Sequence, residues 1–334
     1  MKDIARDLGV SVITVSKVIR NHSDIGQETR RKVLQRIKEL NYQPNLAARA
    51  LVTGKSFTAA LIVPGLVNPF FADLATGLTN ALRRKNYSLM ISSSEESPDL
   101  ERQEIDRFLS RRVDAIMIAT MQLAIDSFHK IEAQKTPYVL LDRSLAGLRA
   151  DFVGVDDVAV GRMATEHLIA VGCRRIAHVR GPATSTSIGR AEGYQQALAH
   201  HGLSPLNGYV VTGRSYEVEA WKSGFDAMEN LLSLDPRPDG VFYYNDGTAI
   251  GGLDAILRAG LRVPEDIAVI GCGNLLYDKS LRVPLSSVDQ HSAEIGEQAG
   301  NLSIALIEAK TRPDPANILL APTLVAREST RRNP

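Results

Sequence analysis

The chain has 334 residues, 44% hydrophobic and 23% charged, with a net charge of +1; this is too long for one ordinary core, so two or three domains are expected, of soluble globular composition. Its two cysteines, Cys173 and Cys272, are far apart and lack metal-ligand spacing, which argues against a disulfide framework or zinc site and for free thiols. No basic segment followed by an apolar run marks an export signal, and no apolar stretch reaches the roughly 18–20 residues of a membrane span, so a cytoplasmic protein is expected.

Charge is unevenly spread. Residues 1–57 carry eleven Lys/Arg against five acids, a local net of +6, which leaves −5 for the rest. A basic head on an acidic body fits phosphate binding at one end, although a basic run is also the ordinary look of a solvated face. Three short helical patterns follow one another in this head. Ile4, Ala5 and Leu8 give an apolar face that stops at Gly9. Ser11 then suits the N-cap of a second helix through about Ile19. There Val15, Val18 and Ile19 face inward, and Val12, Ile13, Ser16 and Lys17 face outward. After Asn21-His22-Ser23-Asp24 a third helix is expected from Gln27 to Leu40, with Val33, Leu34, Ile37 and Leu40 as its buried stripe.

Helix, glycine-centred turn and helix is the helix-turn-helix plan, whose second helix lies in the major groove. An outward Val12-Ile13 pair makes sense against thymine methyls, and Lys17 can donate to guanine or to a phosphate. Pro44 then breaks the third helix, and Asn45–Leu51 resumes as an Ala-rich helix too short to be stable alone.

The stretches AxxLGVSxxTVSxVI (Ala5–Ile19) and TRxxVxxxIxELNYxPNxxAxxL (Thr29–Leu51) closely resemble the LacI family of bacterial transcription regulators, and the resemblance covers essentially the whole chain. It implies that Asn45–Leu51 is a hinge helix that folds on operator DNA, with Leu51 as a minor-groove wedge that unstacks a base step. The DNA-facing set it implies is Ser11, Val12, Ile13, Thr14, Ser16, Lys17, Asn21, Asn45, Ala48 and Leu51. Lys17 stands where family members commonly carry Arg, a point donor in place of a fork, so looser readout is expected there. The segment before helix one is short and holds no Ser or Thr cap, so either the true start lies further upstream or that helix is expected to fray.

From Thr58 apolar strands alternate with amphipathic helices, with strands at Ala60–Val63, Ser88–Ser92, Ala115–Ala119, Tyr138–Leu141, Phe152–Val155, Arg175–Val179, Tyr209–Thr212, Gly240–Tyr244 and Ile267–Gly271. Repeated βαβ units mean parallel sheets, and the strands are too many for one sheet. The expected fold is a small all-α head plus an α/β core of two doubly wound parallel-sheet lobes with a cleft between them. The resemblance adds that the core is periplasmic-binding-protein-like (type I) and that the chain returns to the first lobe near Ser287. The expected limits are 1–44 for the head, 45–57 for the hinge and linker, and 58–334 for the core. Within the core the N-lobe takes about 58–154 and 287–316, the C-lobe about 155–286 and 317–330.

Ligands of open α/β sheets sit at the C-terminal ends of the strands. Phe70 and Phe71 follow the first strand as a platform for a sugar ring or base, unless Phe71 packs into its lobe. Ser94 follows the second strand, and Asp142 ends the fourth as an acceptor for a hydroxyl. Tyr216, with Trp221, flanks a helix start as an aromatic wall. The resemblance implies that Arg190, after Gly181-Pro182, reaches into the cleft. It also implies that Asn245 contacts ligand while Asp246 is structural. Where the family usually has an Asp, this chain has Gly273. Three alternatives follow: an effector without vicinal hydroxyls, one with negative charge, or one bound through Asn274.

No nucleophile elbow, phosphate loop, HExxH or zinc spacing occurs, so no catalytic residue, metal or cofactor is expected. A ligand-responsive regulator stands against a periplasmic binding protein, which the basic head disfavours, and a sugar-metabolising enzyme, which lacks catalytic residues. The expected partners are pseudo-palindromic operator DNA, a carbohydrate or related effector, and a second copy of the chain, with no membrane contact.

Overall fold

The computed structural model describes residues 1–19, 22–42, 50, 54–213 and 217–332. The chain divides into two compact units, 1–56 and 57–334.

The first unit contains three helices among its described residues: α1 (Lys2–Asp7), α2 (Val12–Ile19) and α3 (Gln27–Glu39). Gly9 takes φ +61° between α1 and α2, a left-handed turn that favours glycine. Ser11 caps α2, its Oγ accepting from the Thr14 amide at 3.0 Å. Met1 is the N-cap of α1 and makes no side-chain cap hydrogen bond. Ile4, Ala5, Val15, Val18 and Val33 form the core, with Leu8, Ile19, Ile37 and Tyr42 packed around it. Leu34 and Leu40 correct the expected stripe: they are 49% and 42% exposed. A three-helix unit this small covers a single stripe of α3, so Val33 and Ile37 face in while Leu34, a residue further round, faces out.

The second unit has two six-stranded sheets. Its first half runs β1 (Thr58–Val63), α4 (Pro69–Arg83), β2 (Ser88–Ser93), α5 (Pro98–Ser110), β3 (Ala115–Ile118), α6 (Asp126–Ala133), β4 (Tyr138–Leu141) and β5 (Asp151–Val155). The second half runs α7 (Asp157–Ala170), β6 (Ile176–Arg180), α8 (Ser185–His200), β7 (Val210–Thr212), α9 (Ala220–Leu232), β8 (Gly240–Tyr243), α10 (Asp246–Arg258), β9 (Ala268–Cys272) and β10 (Ser286–Asp289). The chain closes with α11 (Ser292–Glu308), β11 (Asn317–Leu320) and β12 (Thr323–Val325). Strand orders are β11-β5-β4-β3-β1-β2 in the first lobe and β12-β10-β9-β8-β6-β7 in the second. All pairings are parallel except β10 with β12.

The lobe limits expected near 287 and 316 are corrected. Ser286–Asp289 pairs with β9 and so stays in the second lobe, and Asn317–Leu320 pairs with β5 and so lies in the first. The chain therefore passes between lobes near 156, 290 and 321. β10, β11 and β12 escaped the sequence reading because each is only three or four residues long and is held by pairing rather than by an apolar run.

Three helix pairs, α4 with α11, α7 with α8 and α9 with α10, cross in close contact on paired glycines. A Cβ on Gly77 would come within 1.9 Å of the Ala293 carbonyl oxygen, and one on Gly296 within 1.9 Å of that of Leu74. Gly161 and Gly193 do the same for α7 and α8, and Gly224 and Gly251 for α9 and α10. Backbone meets backbone at these crossings, which seats the helices tightly on the sheets. Among the described residues no helix is long and apolar enough to cross a membrane.

Candidate DNA interface and effector cleft

On the head, Val12 and Ile13 are 40% and 67% exposed at the start of α2, while Val15 and Val18 of the same helix are buried. One face of α2 thus builds the core and the other offers an apolar pair to solvent. Lys17, a turn further on, ion-pairs with Asp24, and this pairing lowers the Asp24 carboxyl below its ordinary range. Thr14 and Ser11 share a hydroxyl contact of 2.9 Å next to the cap. Arg36 of α3 binds Asp7 at 2.6 Å, which ties α1 to α3 behind the α2 surface. Asn21, Asn45, Ala48 and Leu51 lie outside the described residues.

In the second unit the strand ends of both lobes converge on a cleft lined by buried charge. Asp142 closes β4 with φ +58°, and its Oδ2 lies 3.5 Å from Nε of Arg143. Arg143, 1% exposed, donates from Nη2 to Glu217 Oε1 at 2.8 Å, across the lobes. Asn68 donates to the other oxygen of Glu217 at 2.6 Å, and the Ser144 amide donates to Ser185 Oγ at 2.9 Å, also across the lobes. Leu275 of the second lobe packs into the apolar core of the first. Gln290, at a crossing point, reaches Asp142 at 3.5 Å.

Arg190 is buried at the head of the cleft. It donates to Asp157 at 2.9 Å and to the Tyr244 carbonyl at 2.6 Å, and its guanidinium lies 4.8 Å from the Tyr244 ring centroid. Burial pushes the Asp157 carboxyl up to about 7 against the opposing pull of Arg190. Asn245 caps α10 in a reciprocal capping box with Thr248 and lines a cavity of about 540 Å³ beside Asn68, Glu217, Trp221, Leu275 and Tyr277.

Four of the expected positions make contacts of their own within the lobes. Asn274 is engaged within the second lobe: its Nδ2 donates to Asp289 at 2.9 Å and its Oδ1 accepts from Arg327. Phe70 and Phe71 are both buried and meet edge to face at 5.1 Å; Phe71 lines an outer groove along α4 with Ala72, Ala75 and Ile91. Successive helical residues point about 100° apart, so the two rings cannot form one platform. Ser94 is fully buried, its hydroxyl donating to the Val63 carbonyl at 3.4 Å. Tyr216 lies outside the described residues.

Gly273, where the resemblance leads one to expect an Asp, sits against a buried acid. Gly273 has φ +135°, and a Cβ there would lie 3.0 Å from Oδ2 of buried Asp246. Asp246 in turn accepts from Ser287 Oγ and from the Leu275 amide. Burial pushes Asp278 up to about 9 and pushes its neighbour Asp246 up as well. Sequence reasoning missed Glu217, Asp157, Gln290 and Asp278. Glu217 stands beside the expected Tyr216, but a single acid in a loop carries no pattern that marks it.

Among the described residues no group of three or more His, Cys, Asp or Glu is placed to hold a metal ion. Residues 1–45 match the family described as bacterial regulatory proteins, lacI family, and residues 165–330 match the periplasmic binding protein-like domain. The ribose operon repressor of Escherichia coli (strain K12) is 34% identical over 331 residues, 98% of this chain and 99% of that protein. The HTH-type transcriptional repressor PurR of Actinobacillus pleuropneumoniae serotype 3 (strain JL03) is 29% identical over 99% of this chain and 98% of that one. Among solved structures, the Lac repressor dimer bound to operator and the anti-inducer ONPF superposes with a TM-score of 0.85 at 25% identity, covering 98% of each chain. The transcriptional regulator CelR in complex with cellobiose superposes at 0.75 and 28% identity, also covering 98% of each. A helix-turn-helix head with an exposed apolar pair, a two-lobed core and full-length likeness to these repressors place this chain in the lacI family of bacterial regulatory proteins.

Proposed function

We propose that the chain is a transcriptional repressor that binds a pseudo-palindromic operator as a homodimer and releases or grips it according to a small molecule held between the lobes. The observation that carries this reading is the outward Val12-Ile13 pair on a head whose other α2 face is fully used in its core. Val12, Ile13 and Lys17 read base edges, Ser11, Thr14, Ser16 and Asn21 position the helix on the backbone, and residues 45–57 form the hinge, with Leu51 in the minor groove beside Asn45 and Ala48. Lys17 exchanges Asp24 for DNA on binding.

Asp142, Arg190 and Asn245 lie where strand ends meet, which supports the cleft as the effector site. One relative is named a ribose operon repressor and one solved neighbour holds cellobiose, and a polar, hydroxyl-bearing effector suits the buried acids and amides. The second subunit meets the apolar groove of Ile250, Leu257 and Leu281, side chains that one chain leaves only half-buried. The bound effector changes how the lobes close, and a coupling of about 1–3 kcal/mol would alter operator affinity about 5–150-fold.

An unbiased selection from random DNA duplexes tests the reading. The expected product is one two-fold-related site, bound by the full chain and lost when residues 1–57 are removed. Recovery of no preferred sequence would overturn it.

A further inference from the structure

Glu217 reaches from the loop before α9 into the opposite lobe. Its two oxygens accept separately, from Arg143 at 2.8 Å and from Asn68 at 2.6 Å. Both donors belong to the first lobe, one at the end of β4 and the other before α4. The Arg143 and Glu217 side chains are 1% and 3% exposed, so the contact is dry. The approach relies on Gly65, where a Cβ would stand 3.1 Å from the Cβ of Glu217.

A guanidinium and a side-chain amide converging on two oxygens make a carboxylate receptor, since both groups are offered as donors and the carboxylate only accepts. The receptor is complete on the first lobe, whereas its occupant comes from the second. Arg143 retains Asp142 as counter-charge at 3.5 Å when Glu217 leaves, so displacement does not strand a buried cation. Glu217 also gains from leaving, because burial pushes its carboxyl up to about 7 despite the pull of Arg143 and Asn68.

We propose that Asn68 and Arg143 form a carboxylate-binding subsite of the cleft whose resting occupant is Glu217, and that an effector bearing a carboxylate, such as a sugar acid or small hydroxy acid, binds by displacing it. The effector half of this inference rests on the cleft as the regulatory site. A tethered group competes at an effective concentration of about millimolar, so the wild-type chain closes on itself and resists weak free carboxylates. Loss of the tethered group unmasks the subsite.

The test uses the full-length protein at fixed ionic strength, titrated with acetate, glycolate and D-ribonate, with D-ribose as the neutral control. Thermal unfolding and calorimetry are read for the wild type, Glu217→Ala, Glu217→Gln and the double variant Arg143→Met/Glu217→Ala. Glu217→Ala should melt lower than wild type and be restored saturably by carboxylates, with affinity at least ~10-fold above wild type. D-ribose should gain nothing from the substitution, and the double variant should lose the rescue. Carboxylates that bind Glu217→Ala no better than wild type, or a rescue that survives without Arg143, would overturn the proposal. Should Glu217→Ala not fold, Glu217→Gln keeps the shape and the Asn68 bond, and it too must bind carboxylates more tightly than wild type. Operator anisotropy separates the two layers. Carboxylate binding with unchanged operator affinity removes the cleft as effector site and leaves the subsite standing. Operator release by D-ribose, without carboxylate binding to any variant, removes the subsite and leaves the cleft.

Discussion

Single side chains show how one element serves two purposes. Val15 and Val18 anchor α2, while Val12 and above all Ile13, on the same helix, stand exposed outside the core of the head. Truncating Ile13 to Ala should therefore leave the circular dichroism and melting of the head unchanged. It should weaken binding to the selected operator by about 1–3 kcal/mol in a fluorescence titration, the usual cost of one lost base contact. His178 offers a different test. It is fully buried, stacked on Phe242 at 4.6 Å, and burial pushes its imidazole down to about 4. Its unfolded pKa is near 6.5, so between those values the unfolded chain binds the extra proton. Stability should accordingly rise with pH across that window, and fall on acidification by on the order of 3 kcal/mol at full titration. Urea titrations at pH 7 and pH 4.5 should show a smaller pH slope for His178→Phe; an equal slope would place the protonation elsewhere.

At the level of elements, the paired glycines set how closely the helices seat. Gly161 illustrates the link to function, because a Cβ there would come within 2.0 Å of the carbonyl oxygen of Arg190 itself. Gly161→Ala must push α8 away from α7 and move Arg190 off Asp157 and the Tyr244 carbonyl. The expected result is a fall in melting temperature of several degrees, a size typical of overpacking by about 1–3 kcal/mol. Effector response should be lost more severely than operator binding. An alanine variant with unchanged melting would show that the crossing relaxes without strain. None of these crossings could be foreseen from helix periodicity, which reports which face is apolar but not how near two backbones come.

For the molecule as a whole, the local reading and the assembly have to agree. A head of about fifty residues buries little, and its hinge was expected to be too short to fold alone, so tight operator binding calls for two subunits. Leu281 borders both the large cavity beside the cleft and the adjoining groove of Leu253, Leu257 and Val283. Leu281→Asp should sediment as a monomer and lose operator affinity steeply, with the isolated fold retained in circular dichroism. A dimer that persists would place the subunit contact elsewhere.

The two-part plan, the helix-turn-helix and the alternating strands of both lobes were legible in the chain because each rests on local periodicity, turn residues and spacing. Asp142 was picked out as a residue at a strand end, whereas Arg190 and Asn245 were expected from the resemblance. Tertiary structure alone decided the rest. Asn274 was claimed by Asp289 and Arg327, Gly273 was set against a buried Asp246, and Leu34 was left outside a core too small to cover it. Glu217 met Arg143 and Asn68 from 74 and 149 residues away, and no local pattern encodes such a pairing. Contacts between lobes depend on where three crossings bring distant loops, and that is fixed by sheet pairing and backbone approach rather than by neighbours in sequence.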